Sequence, residues 1–278
     1  MNGASYDAHP DVGGLIRRVW RESLEDRVLG RAAELSYYFL LALFPLLIVL
    51  TSVIGFFPGA REGLLSAVVR VAPQDAMKLV QGFLDDIVNH RSGGVLSLGL
   101  ILSLWSASSG VASLMDALNA AYDARETRPF WKHRLIAIGL TVAMALLVMG
   151  GALLIIIGHR VGPWLERALQ TSPLGALGLT VLGYVIGFLL LLAGIAMLYY
   201  FGPNIKRGTR PIKAGALFAS IGTVFGSLLF SFYLRLVPGA SATYGSLGAV
   251  VTLMIWLYLM GLMLLVGGEI NSEMSGDA

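Results

Sequence analysis

One hydrophobic segment decides the fold of this chain: YGSLGAVVTLMIWLYLMGLMLLVGGEIN, which extends from Tyr244 to Asn271. No charged residue lies between Arg235 and Glu269. Because an α-helix rises about 1.5 Å per residue, a helix of this length crosses a hydrocarbon core of about 30 Å. A carboxylate at the membrane edge needs water, a partner or a function. The segment therefore predicts a membrane-spanning helix with a polar end.

The composition of the whole chain agrees with this prediction. Of its 278 residues, 56% are hydrophobic and only 13% are charged, and the mean hydropathy is +0.75. A soluble domain carries about 25% charged residues. We therefore expect a single all-α domain, a polytopic membrane protein. The chain has no cysteine, which excludes disulfides, thiol nucleophiles and cysteine metal sites.

Further hydrophobic runs, each of about 20 residues or more, bring the predicted transmembrane helices to six. They lie near Ala33–Phe57, Gly94–Ala117, Leu135–Gly158, Leu174–Phe201, Ala214–Leu234 and Tyr244–Gly268. Lysine and arginine concentrate before the first run and in the 123–134 and 202–213 connections. The positive-inside rule places these segments, and hence both termini, in the cytoplasm.

The predicted organisation follows from these runs. Residues 1–31 form a cytoplasmic tail with an interfacial helix, residues 32–271 form the six-helix transmembrane domain, and residues 272–278 form a short cytoplasmic tail. The transmembrane domain includes a periplasmic loop at 58–92.

Two segments outside the spans have apolar residues at helical spacing. In Leu15–Leu29 arginines lie between the apolar positions, which predicts an amphipathic helix on the anionic inner leaflet. Packing of this helix on the bundle is an equally good interpretation. In Met77–Val88 an apolar stripe predicts a second amphipathic helix over the outer mouth of the bundle. Plain packing and a lid are alternatives there.

Acids and amides collect at the predicted cytoplasmic ends of four helices. They are Glu34, Asp116, Asn119, Asn204, Glu269 and Asn271. A set of polar residues that lie at one depth and come from several helices predicts a vestibule that binds a substrate head group or a coupling ion. Asp116 is the best single candidate because it lies deepest, beside Ser109 and Ser113 on one helix face.

Structural ion pairs are the alternative for each of these residues taken alone. Glu34 has Arg31 one turn away, and Asp116 could pair with Arg125 or Arg207. Tertiary packing would have to satisfy every member of the group separately, so the group as a whole favours a vestibule.

Three other residues carry further hypotheses. Arg235 ends the fifth predicted span and Tyr244 begins the sixth. A cation that faces a helix N-terminus favours an anionic group, such as a phosphate, between them. A snorkelling arginine is the simpler interpretation. Pro45 lies in the middle of the first span and predicts a bend, which serves as a hinge or only shapes the bundle.

The sequence shows no catalytic motif, and we expect no enzyme, no cofactor and no metal site. The histidines His9, His90, His133 and His159 lie in predicted tails or loops, without ligand spacing such as H-E-x-x-H. G-x-S-x-G, Walker and dinucleotide motifs are absent. The expected partners are membrane lipids and a lipid-like or small-molecule substrate. Nucleic acid is not expected, and the sequence does not indicate an oligomeric state.

Four ordered motifs resemble those of the YihY/virulence factor BrkB family of bacterial inner-membrane proteins, once labelled ribonuclease BN. They are SYYFLLALFPLLIV (Ser36–Val49), SASSGVASLMDALNAAYD (Ser106–Asp123), LYYFGPNIKR (Leu198–Arg207) and the segment Tyr244–Asn271 quoted above. Before the final glutamate the family usually has Gly-Ala, where this chain has Gly267 and Gly268. The resemblance implies a six-span helical protein of the bacterial inner membrane. These residues do not support the ribonuclease label.

The resemblance implies roles in transport of lipid-like or envelope molecules, in solute or ion export, or in resistance to host serum. Two functions are compatible with both the residues and the resemblance. The first is a transporter or lipid translocase whose substrate enters through the vestibule. The second is a non-transporting scaffold that binds envelope-synthesis or virulence factors through its basic cytoplasmic face. An intramembrane enzyme acting on lipids is a distant third.

Overall fold

The structure, a computed structural model, describes residues 12–54, 93–168, 173–205, 212–236 and 240–276. These ranges contain seven α-helices and no β-strand. The helices are α1 (Val12–Glu25), α2 (Val28–Ile54), α3 (Gly93–Ala121), α4 (Phe130–Ala168), α5 (Pro173–Phe201), α6 (Lys213–Leu236) and α7 (Ala240–Gly276). The all-α prediction is confirmed for this part of the chain.

Four helical segments within the described ranges are long and apolar enough to cross a membrane. They are Phe130–Gly151 in α4, Val181–Phe201 in α5, Lys213–Tyr233 in α6 and Val250–Ser275 in α7. The chain is therefore a multi-pass membrane protein. Helices α2 and α3 cover most of the first two predicted spans, while the total of six spans and the cytoplasmic termini stay predictions.

The predicted interfacial helix is shorter than Leu15–Leu29. Helix α1 ends at Glu25, and a turn at Asp26 and Arg27 separates it from α2. Arg27 has a φ of 53°, in the left-handed region that side chains other than glycine seldom adopt. The Nε of Arg31 donates to the carbonyl oxygen of Asp26 at 2.9 Å. This hydrogen bond fixes the turn and hence the angle between α1 and α2.

Two other helix ends differ from the predictions. Helix α4 begins at Phe130, so His133 lies in its first turn and not in a loop. Pro129 directly precedes this helix, where proline is favoured because its φ suits a helix start and its missing N–H is not needed. Helix α7 continues to Gly276, so most of the predicted 272–278 tail is helical.

Several predictions concern residues or side chains that the structure does not describe. The predicted helix Met77–Val88 lies in the undescribed residues 55–92. Pro45, Arg235 and Tyr244 belong to α2, α6 and α7, but their side chains are not among those described. The bend at Pro45 and the outer anionic contact therefore stay predictions.

Among the side chains that the structure describes, the buried ones cluster at one end of the bundle, where α2, α4 and α6 begin and α3, α5 and α7 end. Buried side chains there include Val28, Ala32, Leu35, Leu114, Leu118, Tyr122, Leu198, Tyr199, Ala216 and Leu265. Helix α2 packs against α3 and α7, and α6 packs along α7. Further along α5 and α6, Tyr184 and Phe225 are exposed, as expected for side chains that face lipid. The core therefore lies at the predicted cytoplasmic end.

Glycines allow α6 to approach α7 closely. A Cβ atom added to Gly215 would lie 1.9 Å from the carbonyl oxygen of Gly267. A Cβ atom added to Gly222 would lie 2.6 Å from the Sδ of Met263. Position 215 needs glycine because a side chain there would meet backbone and separate the helices. At position 222 the flexible side chain of Met263 would have to move. Gly183 and Gly187 make no such contact, because no atom of the described structure lies within 4 Å of a Cβ added at either position.

Candidate functional site

A polar cavity of about 320 Å³ lies where the first turns of α2 and α4 meet the second half of α3. It is lined by Arg31, Glu34, Tyr38, Ser109, Ala112, Ser113, Asp116, Ala117 and Arg134. Two predicted site residues, Glu34 and Asp116, therefore share one cavity. The two serines predicted beside Asp116 also line it. The cavity brings two carboxyl groups and two guanidinium groups to the edge of the hydrophobic bundle.

Arg134, in the first turns of α4, is held against α3. Its Nη2 donates to the carbonyl oxygen of Trp105 and, at 3.1 Å, to the Oγ of Ser109. The guanidinium carbon lies 4.0 Å from the centroid of the Trp105 ring, which is a cation–π distance. The Nε of Arg134 is buried and has no hydrogen-bond partner among the described residues. One donor of this cation is therefore unsatisfied within the described part of the chain.

Asp116 also faces a histidine and a second acid. The Nε2 of His133 lies 3.2 Å from the Oδ1 of Asp116 and 3.7 Å from the Oε2 of Glu126. The ligand atoms of all three residues lie within 4.8 Å of one another. This donor set fits a divalent cation held by one imidazole and two carboxylates. It fits equally well a protonated imidazole that balances two carboxylates.

Within the described residues, then, the side chain of His133 lies beside Asp116, and no ion pair joins Asp116 to the predicted Arg125. The other predicted partner, Arg207, lies outside the described residues. The histidine reaches Asp116 because the short 122–129 connection folds the start of α4 back against the end of α3.

Asn119 and Asn204 join the connections at this end of the bundle. The Nδ2 of Asn119 donates to the Oε2 of Glu126 at 2.9 Å, and its Oδ1 accepts the backbone N–H of Asn204 at 2.6 Å. The Nδ2 of Asn204 donates to the carbonyl oxygen of Arg125 at 3.0 Å. Both predicted amides therefore bind neighbouring parts of the chain.

Glu126 is the charged centre of this network. Burial raises the pKa of Glu126. Hydrogen bonds from the side chain and backbone of Arg128 and from Asn119 lower it by more, so the pKa falls to about 2. The Nη2 of Arg128 also donates to the carbonyl oxygen of Gly202 at 2.9 Å. An ionised Glu126 thus holds the α3–α4 connection against the end of α5.

Glu269 is 1% exposed and lies near the end of α7. Its side chain lies next to that of Asp26, in the turn between α1 and α2. Glu22 and Asp123 also act on it electrostatically. Burial raises the pKa of Asp26, and the carboxylate of Asp123 raises it further. Several carboxyl groups therefore meet at a buried position.

Asn271 lies one turn from the end of α7 and is fully buried. Its Oδ1 accepts the backbone N–H of Gly215 at 2.7 Å. This N–H belongs to the first turn of α6, where backbone donors lack a partner within the helix. Asn271 and Gly267 thus hold α6 to α7, while Glu269, between them in sequence, contacts the α1–α2 turn.

The predicted vestibule residues divide into three local groups in the structure: Glu34 with Asp116 in the cavity, Asn119 with Asn204 between connections, and Glu269 with Asn271 on α7. Sequence reasoning missed Asp26, Glu126 and His133. The short α3–α4 connection was a usable signal for the last two, because it predicts that the flanking helix ends are neighbours. No local signal relates Asp26 to Glu269.

Known proteins give independent information about this chain. The profile of the virulence factor BrkB family matches residues 19–278. The ribonuclease-like protein YfkH of Bacillus subtilis (strain 168) is 39% identical over 243 residues, which are 87% of this chain and 88% of YfkH. The UPF0761 membrane protein Mpe_A1422 of Methylibium petroleiphilum is 29% identical over 256 residues, covering 88% of this chain. No solved structure matches the chain.

These relatives differ in length. The match covers 58% of the Methylibium petroleiphilum protein, so this chain spans little more than half of it. The UPF0761 membrane protein of Tolumonas auensis is 27% identical over 260 residues, which are 92% of this chain and 83% of that protein. Of these three relatives, only YfkH has ribonuclease-like in its name, and neither the family profile nor the UPF0761 names describe a reaction.

Proposed function

The chain belongs to the virulence factor BrkB family of membrane proteins, and we propose that it is a transporter or translocase that moves a lipid-like molecule. The observation that carries this proposal is the cavity of about 320 Å³ with two acids and two arginines. Charged groups at the end of apolar helices are costly and are retained where they bind a substrate or ion. Asp116 and Arg134 are its principal binding groups.

The cavity suits the head group of an amphipathic molecule. Its volume is at the lower end of the range of about 300–1,000 Å³ for small-molecule sites, which accommodates a polar head but not long acyl chains. The chains would lie against the exposed apolar faces of the neighbouring helices. Arg31 and Arg134 offer charged donors for a phosphate, and Glu34 and Asp116 offer acceptors for an amine.

Arg134 gives the cavity its geometric specificity. Stacking on Trp105 and two hydrogen bonds hold the guanidinium in place, so little side-chain entropy is lost when a ligand binds. Its Nε points to no acceptor within the described structure.

Reconstituted protein tests the proposal. Proteoliposomes would contain trace fluorescent lipids with different head groups, and a membrane-impermeant quencher would report their exchange between leaflets. We expect wild-type protein to accelerate exchange of at least one phosphate-bearing lipid. Because a hydrogen bond to a charged group contributes about 1.5–3 kcal/mol, Asp116→Asn and Arg134→Gln should each slow exchange about 10- to 100-fold.

Glu25→Gln is the matched control, because this α1 carboxylate lies outside the cavity and makes only an exposed contact of 3.8 Å with Arg21. It should exchange lipid at the wild-type rate. Wild-type exchange no faster than in protein-free liposomes, over the whole panel, would refute the proposal. Equal rates for all variants would refute the assignment of the cavity.

A scaffold is the second candidate, and one observation favours it. Ile16, Trp20 and Leu24 lie on one face of α1 and are 65%, 67% and 55% exposed. Either a membrane surface or a partner protein would cover such a face. A photo-reactive amino acid at position 20 distinguishes the two in cells. Crosslinks to one protein would support the scaffold, and crosslinks to lipid alone would count against it.

A further inference from the structure

Glu269 is a buried acid that the cavity does not use. It is 1% exposed, and its Oε1 is buried with no hydrogen-bond partner within the described structure. Its carboxyl group lies next to that of Asp26, in the turn between α1 and α2. Two ionised carboxylates in such contact have no donor between them, so the contact itself calls for a proton or a cation.

The charged groups around this pair are mostly acidic. Glu22 of α1 and Asp123, which follows α3, act on both carboxyl groups. Among the cations, Arg31 of α2 has the largest effect on Asp26. Its Nε is hydrogen-bonded to the backbone carbonyl of Asp26. Arg31 therefore offsets only part of the negative charge.

We infer that Glu269 and Asp26 form a proton-binding site in which the two carboxyl groups share one exchangeable proton at neutral pH. Like charges that share a buried site cannot both ionise at ordinary cost, and the pair then titrates as a unit. A shared proton satisfies both residues with the contact that the structure shows. A metal ion would have to separate the two carboxyl groups and find further oxygen ligands.

The pair has a route to water. Asp123 is exposed, Asp26 is partly buried and Glu269 is fully buried. The three acids thus form a series from the surface to the interior at the predicted cytoplasmic end. If the chain transports as proposed, this pair is where proton binding couples to movement of α7 against the α1–α2 turn. That coupling role rests on the proposed function, whereas the proton site itself does not.

Infrared difference spectroscopy of the detergent-solubilised full chain tests the site. A protonated carboxylic acid has a carbonyl stretching band that a carboxylate lacks, and the band shifts in heavy water. We expect this band at neutral pH in the wild type, its loss in Glu269→Gln, and a shift of its frequency in Asp26→Asn, where the buried Glu269 keeps a proton without its partner carboxylate. The Glu25→Gln variant, which alters an exposed acid on the same helix as Glu22, should keep the wild-type band.

Each variant also needs a check of folding by size-exclusion chromatography and circular dichroism. If Glu269→Gln fails to fold, Asp26→Asn alone decides, because it alters the less buried partner. Absence of the band in wild-type protein at neutral pH would overturn the inference, as would a band that both variants retain. A band that sodium ions abolish would also overturn it in favour of a metal cation. These readouts do not involve transport, so they can succeed or fail independently of the lipid-exchange assay.

Discussion

Replacement of Gly215 by alanine tests the structure most directly. Gly215 lies in the first turn of α6, against the end of α7. A Cβ atom there would lie 1.9 Å from the carbonyl oxygen of Gly267 and 2.6 Å from the Cγ of Asn271. Because non-bonded heavy atoms rest about 3.5 Å apart, the helix ends must separate by about 1.5 Å. Such a shift breaks the hydrogen bond of 2.7 Å from the Gly215 N–H to Asn271.

The expected cost follows from these contacts. Overpacking costs about 1–3 kcal/mol, and the lost hydrogen bond costs about 0.5–1.5 kcal/mol. Alanine is favoured over glycine in a helix by about 1 kcal/mol, which offsets part of this. The free energy of unfolding should therefore fall by about 1–3 kcal/mol in Gly215→Ala.

Gly139→Ala is the matched control, because no atom within the described structure lies within 4 Å of a Cβ added there. The same substitution in α4 should leave stability unchanged or raise it by up to about 1 kcal/mol. Unfolding by SDS in mixed micelles measures both variants, with the fluorescence of Trp256 as the signal in a background where the other four tryptophans are replaced by phenylalanine. This reporter lies at the same helix pair, since its Nε1 donates to the Oγ of Ser227 at 3.2 Å.

Two results would refute the reasoning. One is a Gly215→Ala variant as stable as Gly139→Ala, which would mean that α6 and α7 do not approach as described. The other is strict additivity with Asn271→Ala. If the alanine at 215 already breaks the hydrogen bond, loss of Asn271 in the double variant should cost less than its loss in the wild type.

Three further predictions follow from other contacts. Burial raises the pKa of Asp26, so the folded protein binds a proton at Asp26 more tightly than the unfolded chain does. The free energy of unfolding should therefore fall as the pH rises from the ordinary pKa of 3.8 to the raised pKa of the folded protein. Asp26→Asn should reduce that slope in thermal unfolding at a series of pH values, and an unchanged slope would contradict the assignment. Tyr199→Phe removes a buried hydrogen bond of 2.6 Å to the carbonyl of Leu264 and should lower the free energy of unfolding by about 1–3 kcal/mol, whereas an unchanged SDS midpoint would show that the hydroxyl is not so bound. Asn119→Ala removes the acceptor for the Asn204 backbone N–H and should speed proteolysis of the connection after α5; wild-type cleavage rates would argue against this link.

The helices could be predicted from the sequence, and their ends and contacts could not. Predicted span four, Leu174–Phe201, agrees with α5 within one residue, because length and hydrophobicity alone set a spanning run. The start of α4 was misplaced, because the charged residues before Leu135 suggested a loop although they continue the helix. Propensity and charge in a short connection do not determine where backbone hydrogen bonding begins.

The candidate site shows the same division. Sequence reasoning singled out Asp116 and Glu269 because an acid near the end of an apolar run stands out in any sequence. It could not assign their partners, His133 and Asp26. Nor could it show that Asn271, next to a selected acid in the motif, has a hydrogen bond to Gly215. Side-chain partners depend on helix rotation and approach, which periodicity does not specify.

The sequence by itself determined that this chain is an all-α, multi-pass membrane protein, because hydrophobic length is a local property that each helix satisfies alone. Tertiary structure alone decided which polar groups meet. It brought Glu34 and Asp116 into one cavity and Glu269 against Asp26. The physical reason is that a buried polar group must find its partner wherever packing places one. Between α6 and α7, the close approach of Gly215 and Gly267 is one part of that packing.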